Sequence, residues 1–170
     1  MELRQYQKDA IHAILDKWKF EKNVLLQAAT GAGKTIIFSA LIKYCMERYN
    51  MKIVVLAHRE QLVRQARDKL IAFWAVGKDY IGIACTSVSK VIDLSKPVII
   101  GSPQTLIRRV ENMPPVDLII IDECHRLPPP NVDSQYKKLI DKLRLKNIDL
   151  RLLGVTATPY RLGQGYIYER

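Results

Sequence analysis

The sequence predicts an α/β domain with a parallel, helix-covered sheet, and three observations predict it. Short apolar runs alternate along the chain with longer segments whose apolar residues recur at helical spacing, the order that strand–helix repeats produce. The runs at residues 52–56, 97–101 and 116–122 are almost continuously apolar rather than alternating, as strands covered on both faces are. A chain of 170 residues, 48% of them apolar and 8% aromatic, is long enough for one domain with a sizeable core.

Leu3, Tyr6, Ala10, Ile11, Ile14, Leu15 and Trp18 place an amphipathic helix over residues 4–19, with Arg4 and Gln7 on one face. Residues 24–27 are the first strand. The helix over 34–49 carries Ile36, Ile37, Phe38, Ala40, Leu41, Ile42 and Met46 around most of its circumference, so it belongs in a core. After the strand at 52–56, a helix over 60–74 buries Leu62, Ala66, Leu70 and Phe73 and leaves Arg64, Arg67 and Lys69 outside. Residues 79–84 read as a short strand and 86–90 as a loop. The strand at 97–101 runs into Ser102-Pro103-Gln104-Thr105-Leu106, where Thr105 begins a helix carrying Arg108 and Arg109. The strand at 116–122 leads through Pro128-Pro129-Pro130-Asn131 to a basic helix over 134–145, and the last strand spans 150–155. The tail after Leu162 reads as the start of a connector.

The formal charge of +10, from 27 basic and 17 acidic residues, fits a polyanionic partner, most simply nucleic acid; solubility is the alternative reading. Cys45, Cys85 and Cys124 are scattered without zinc-ligand spacing, and unpaired thiols suit a reducing cytosol. No signal stretch and no membrane-length apolar run is present, so a soluble cytoplasmic protein is expected.

The chemistry concentrates at strand ends. Ala28-Ala29-Thr30-Gly31-Ala32-Gly33 links the first strand to the helix opened by Lys34 and Thr35. Small residues let backbone N–H groups approach a polyphosphate, and the helix start adds donors and positive dipole. Lys34 would reach the β and γ phosphates and the Thr35 hydroxyl would ligate Mg²⁺. Asp122 and Glu123 end the most apolar strand: the first carboxylate suits Mg²⁺ or its waters, the second a proton from attacking water. His125 is expected to couple this strand end to its neighbours. His58 and Arg59 follow the strand at 52–56, where ligands of open α/β sheets gather. Ser102, Gln104 and Thr105 suit a phosphodiester or ordinary turn chemistry equally. The basic face of the 60–74 helix suits solvent or a nucleic-acid backbone. Thr156 and Thr158, level with the two carboxylates, suit hydrogen bonding that senses the nucleotide.

With Ala28-x-Thr30-Gly31-x-Gly33-Lys34-Thr35, Asp122-Glu123-Cys124-His125 and Thr156-Ala157-Thr158 assembled, the chain resembles the first RecA-like motor domain of superfamily 2 helicases. The run from Arg151 to Gly165 is most similar to the RadD family of DNA-repair ATPases, with type III restriction motor subunits next. The resemblance implies a RecA-like three-layer α/β/α sandwich with a mostly parallel sheet, using ATP and Mg²⁺ and moving on nucleic acid, DNA by preference. It makes Arg4 and Gln7 adenine contacts, Lys34 and Thr35 phosphate and metal ligands, Asp122 the second metal anchor and Glu123 the base. It places His58, Arg59, Ser102, Gln104 and Thr105 on the nucleic-acid backbone and makes Thr156 and Thr158 couplers of hydrolysis to movement. It also implies that residues 1–162 are the ATP-binding unit and 163–170 lead toward a second RecA-like domain needed to close the site. A restriction motor and an RNA helicase are the alternatives. A phosphate-loop kinase would need an acceptor pocket and an arginine-rich lid, and neither is visible. A nucleic-acid-binding module with an idle ATP site is the third class.

Overall fold

The computed structural model describes residues 2–28, 33–124 and 134–157, together with the backbone of 160–161 and 165–166. In chain order the elements are α1 (Gln5–Lys17), β1 (Asn23–Gln27), α2 (Lys34–Tyr49), β2 (Ile53–Leu56), α3 (Glu60–Phe73), β3 (Ile81–Ala84), β4 (Val98–Gly101), α4 (Pro103–Ile107), β5 (Leu118–Asp122), α5 (Gln135–Lys146) and β6 (Arg151–Thr156). A short antiparallel ribbon, β7 (Tyr160–Arg161) with β8 (Gly165–Tyr166), follows.

The first six strands form one sheet in the order β1-β6-β5-β2-β4-β3, and every pairing in it is parallel. The expected sheet is therefore wholly rather than mostly parallel. Each strand feeds alternate side chains to opposite faces, and both faces are covered. Ile53 and Val55 of β2 join Ile120 of β5, Val155 of β6 and the apolar sides of α1, α2 and α3. Val54 and Leu56 join Ile119, Ile121, Leu106 of α4, and Leu139 and Leu143 of α5. That two-sided burial explains the unbroken apolar runs, each buried Val, Ile or Leu contributing about 1.5–3 kcal/mol. Among the described residues no helix is long and apolar enough to cross a membrane.

Three expectations are corrected. Residues 79–84 are not all strand: a 3₁₀ turn over Ala75–Tyr80 precedes β3. The Trp74 and Tyr80 rings stack at 5.7 Å with Gly77 beneath, where a Cβ would lie 2.7 Å from the indole, so the chain closes tightly before pairing. The helix after β4 starts at Pro103 and ends before Arg108, because Ser102 caps it and Pro103 occupies its first position. On α3 the core side is Val63, Ala66 and Leu70, with Leu62 and Phe73 only half-buried.

The strand register sets the position of the site. Gln27 pairs with Thr156, Asp122 with Val155, and Leu56 with both Ile121 and Gly101. The ends of five strands are thus level at one edge of the sheet, and the helices that follow them begin there.

Candidate active site

Gln27 ends β1, and the Ala28 N–H donates to the Thr156 carbonyl at 3.0 Å. Ala29, Thr30, Gly31 and Ala32 lie outside the described residues. At Gly33 the backbone is left-handed, with φ +73° and ψ 38°, and its carbonyl accepts from Ile37 N–H at 3.1 Å, starting α2. A side chain is excluded there for a second reason: a Cβ would sit 2.7 Å from Gln7 Nε2. Gln7 is only 4% exposed, and its Oε1 accepts the Arg4 backbone N–H at 2.9 Å. The first turn of α1 is thereby fixed against the start of α2. The Arg4 side chain is exposed.

Thr35 is buried in the first turn of α2, and Lys34 beside it reaches across to β5. Its Nζ lies 3.5 Å from Asp122 Oδ1 and bonds Glu123 Oε1 directly, although Lys34 and Glu123 are 89 residues apart in sequence. Asp122 is 6% exposed, and Oδ1 also accepts the Glu123 N–H at 2.9 Å. Burial raises its carboxyl above the usual carboxylate range; the Lys34 ammonium opposes the shift, and the Glu123 charge adds to it. Glu123 has φ +53°, a left-handed backbone that costs a side-chain-bearing residue roughly 1–2 kcal/mol. Cys124 is fully buried, its thiol pushed up to about 12 by desolvation, so it is not a nucleophile. Thr156, at the tip of β6 between β1 and β5, is fully buried. His125 and Thr158 lie outside the described residues.

One buried and one half-buried carboxylate around one ammonium form a charge cluster suited to a divalent cation and an anionic ligand together. Asp122 and Thr35 carry oxygen atoms that could hold Mg²⁺. Lys34, Gly33 and the amino end of α2 offer positive charge and N–H donors that could meet phosphate oxygens. Among the described residues no group of three or more His, Cys, Asp or Glu forms a self-sufficient metal site.

The other strand ends carry a second, more open surface. His58 is half-buried and Arg59 exposed at the junction of β2 and α3. Ser102 and Thr105 are buried, their hydroxyls 3.0 Å apart, and Ser102 Oγ accepts the Thr105 N–H at 3.3 Å. Those hydroxyls serve the cap of α4. Gln104 is exposed, and with Thr86, Thr105, Arg108 and Arg109 it lines a cleft of about 610 Å³. Sequence reasoning missed Thr86, because only the parallel pairing of β3 with β4 brings that loop beside α4. On α3, Arg64 pairs with Glu60 at 2.8 Å and Arg67 with Asp68 at 2.9 Å, so acids on the same helix largely neutralise its basic face.

A six-stranded parallel sheet in this order, with a lysine and two acids meeting at its carboxyl edge, defines a RecA-like α/β domain. The chain belongs to the family described as type III restriction enzyme, res subunit, whose model matches residues 1–161. It is 34% identical over 167 residues to IRC3 of Saccharomyces cerevisiae, a candidate ATP-dependent helicase, covering 92% of this chain and 23% of the relative. It is 28% identical over 160 residues to the type I restriction enzyme EcoAI endonuclease subunit of Escherichia coli, covering 92% of this chain and 19% of that protein. The crystal structure of the UvsW helicase of bacteriophage T4 superposes with a TM-score of 0.71 at 22% identity, covering 94% of this chain and 54% of that one. The chain thus spans about a quarter or less of the length of these two curated relatives.

Proposed function

We propose that this chain is the ATP-binding half of an ATP-dependent motor that moves on nucleic acid, a helicase or translocase acting on DNA. The observation that carries the reading is the meeting of Lys34 with Asp122 and Glu123 at the carboxyl edge of the sheet. ATP with Mg²⁺ supplies the phosphoanhydride to be cleaved and the divalent charge that screens it. Lys34 would hold the terminal phosphates, Thr35 and Asp122 would hold the cation, and the Glu123 carboxylate would take the proton from the attacking water. Gln7, resting on Gly33, and Arg4, one helical turn before it, are the adenine contacts. Thr156 relays the state of the acids to the rest of the domain, together with His125 and Thr158.

The polymer lies along the adjacent strand ends, on His58, Arg59 and Gln104, with Arg108 and Arg109 supplying charge from the cleft; Ser102 and Thr105 support that surface. Within its family we place the chain nearest the RadD DNA-repair ATPases, on the run from Arg151 to Gly165, as a cytoplasmic protein. A second RecA-like domain completes the ATP site. The family match favours a restriction-enzyme motor as the second reading.

Two substitutions test the site. Lys34→Ala should abolish binding of a fluorescent ATP analogue. Glu123→Gln should keep that binding and lose phosphate release measured with saturating DNA. Turnover surviving in Glu123→Gln removes Glu123 as the base. Stimulation by RNA but not DNA removes the DNA assignment.

A further inference from the structure

The amino ends of β1 and β6, remote from Lys34, border a surface that the ATP reading does not use. Phe20, in the turn between α1 and β1, is 89% exposed, Leu145 near the end of α5 is 88% exposed, and Ile148 is 77% exposed. Apolar side chains so exposed, gathered at one end of a domain, mark an interaction surface. The segments that carry them form one face: Lys22 Nζ donates to the Ile148 carbonyl at 2.6 Å, the Leu152 N–H donates to the Lys22 carbonyl at 2.8 Å, and Arg144 bonds Asn23. The turn that presents Phe20 is fixed, since the Phe20 and Glu21 N–H groups both donate to the Lys17 carbonyl, at 3.0 and 2.9 Å.

Beside Phe20 lies a groove of about 310 Å³, lined by the buried Trp18 and rimmed by Lys19, Glu21, Lys22, Asp149 and Arg151. A cavity of about 150 Å³ accepts a benzene ring, so a phenyl side chain fits this groove. The rim is of mixed sign. With Asp16, which pairs with Lys19 at 3.0 Å, the acids Asp16, Glu21 and Asp149 stand among the cations Lys19, Lys22 and Arg151. Lys22 pairs with Asp149 at 3.8 Å, and every member of the two pairs is at least half exposed, so these groups can exchange partners at little cost. A purely acidic partner, a nucleic-acid backbone included, meets the three acids, and a purely basic one meets the three cations. The face therefore selects a partner that carries both signs and an exposed aromatic side chain.

We propose that the partner is a second copy of this chain, joined through this face about a two-fold axis. Knob and groove adjoin on the same surface, which is the self-complementarity that such a contact requires. Phe20 of each copy enters the groove of the other, Leu145 and Ile148 pack around it, and Lys22 of one copy faces Asp149 of the other. The chain as a whole carries a charge of +10, so two copies repel least where acids and cations balance. Phe20 alone offers about 200 Å² of surface. Leu145 and Ile148 bring the apolar part to roughly half of the ~800 Å² that each partner buries in a standard interface, so the dimer is weak and reversible. The proposal is independent of the ATP site, which lies at the opposite edge of the sheet.

Analytical ultracentrifugation of this chain over a range of concentrations tests it. A reversible monomer–dimer equilibrium is expected, weakened about tenfold or more by Phe20→Ser. Because Phe20 is exposed, Phe20→Ser should keep the wild-type circular dichroism and ATP-analogue affinity, which separates loss of the interface from loss of fold. Lys22→Glu and Asp149→Lys should each weaken self-association, since each sets like charges opposite one another twice across the axis. An equimolar mixture of the two variants should dimerise again, because both contacts then join opposite charges. A chain that stays monomeric up to about 500 µM overturns the proposal and assigns the face to a different protein. A dimer indifferent to Phe20→Ser, a mixture that fails to restore dimerisation, or growth beyond the dimer overturns it equally.

Discussion

Replacing Gly33 by alanine perturbs the point where the first turn of α1 meets the start of α2. Its φ of +73° costs an alanine roughly 1–2 kcal/mol. The new Cβ would also stand 2.7 Å from Gln7 Nε2, inside van der Waals distance. Gln7 is 4% exposed and tied through Oε1 to the Arg4 N–H, so moving it forfeits a buried hydrogen bond worth about 1 kcal/mol. Together the change should destabilise the domain by about 2–3 kcal/mol, lowering Tm by roughly 5–10 °C at this size. Thermal and urea melts of wild type, Gly33→Ala, Gln7→Ala and the double variant separate the two causes. The clash disappears once Gln7 is truncated, whereas the backbone strain does not, so the cycle should show a coupling of about 1 kcal/mol. A Gly33→Ala protein melting with the wild type, or a strictly additive cycle, would refute the packing of Gln7 on Gly33.

Asp122 gives a pH dependence. Burial raises its carboxyl, so the folded state binds that proton more tightly than the unfolded chain. Stability in Mg²⁺-free buffer should therefore fall as pH rises from the ordinary carboxylate range to the raised value. Asp122→Asn, which cannot ionise, should flatten that decline and be more stable than wild type at neutral pH, as urea midpoints between about pH 4 and 8 will show. Ser102→Ala should remove the cap of α4 at a cost of about 1 kcal/mol and weaken nucleic-acid affinity in anisotropy titrations less than Gln104→Ala, which should leave stability unchanged. Arg108→Ala with Arg109→Ala should weaken binding across sequences and make the slope of log affinity against log salt shallower by about 1 for each phosphate that these arginines neutralise.

The fold was legible because its strands are buried on both faces, which leaves runs such as Ile53–Leu56 with no polar interruption. Lys34 and the Asp122-Glu123 pair were legible because Lys34 opens a helix after a loop of small residues and the acids stand where an apolar strand stops, each next to residues that suit one shared ligand. What escaped the sequence depended on the meeting of distant residues or on side-chain direction. The rest of Gln7 against Gly33 joins residues from two helices, and no local pattern encodes it. The hydroxyls of Ser102 and Thr105 satisfy cap and phosphate chemistry equally, and only their mutual bond shows which use the fold makes of them. The Trp74–Tyr80 stack converts what reads as strand into a tight turn. Glu123 gives no propensity signal for a left-handed backbone; the geometry follows from setting two consecutive acids around one ammonium.

The placement of β6 governs when this protein can become functional during synthesis. Among the described residues β1 pairs with β6 alone, and β6 separates it from β5, yet β6 is the last of the six to be made. A nascent chain can assemble β5, β2, β4 and β3 into a partial sheet while β1 still has no neighbour to settle against. The Lys34 ammonium and the two acids therefore take up their final places beside a complete sheet only after residue 156 has left the ribosome, so this charge cluster closes as a late step of folding.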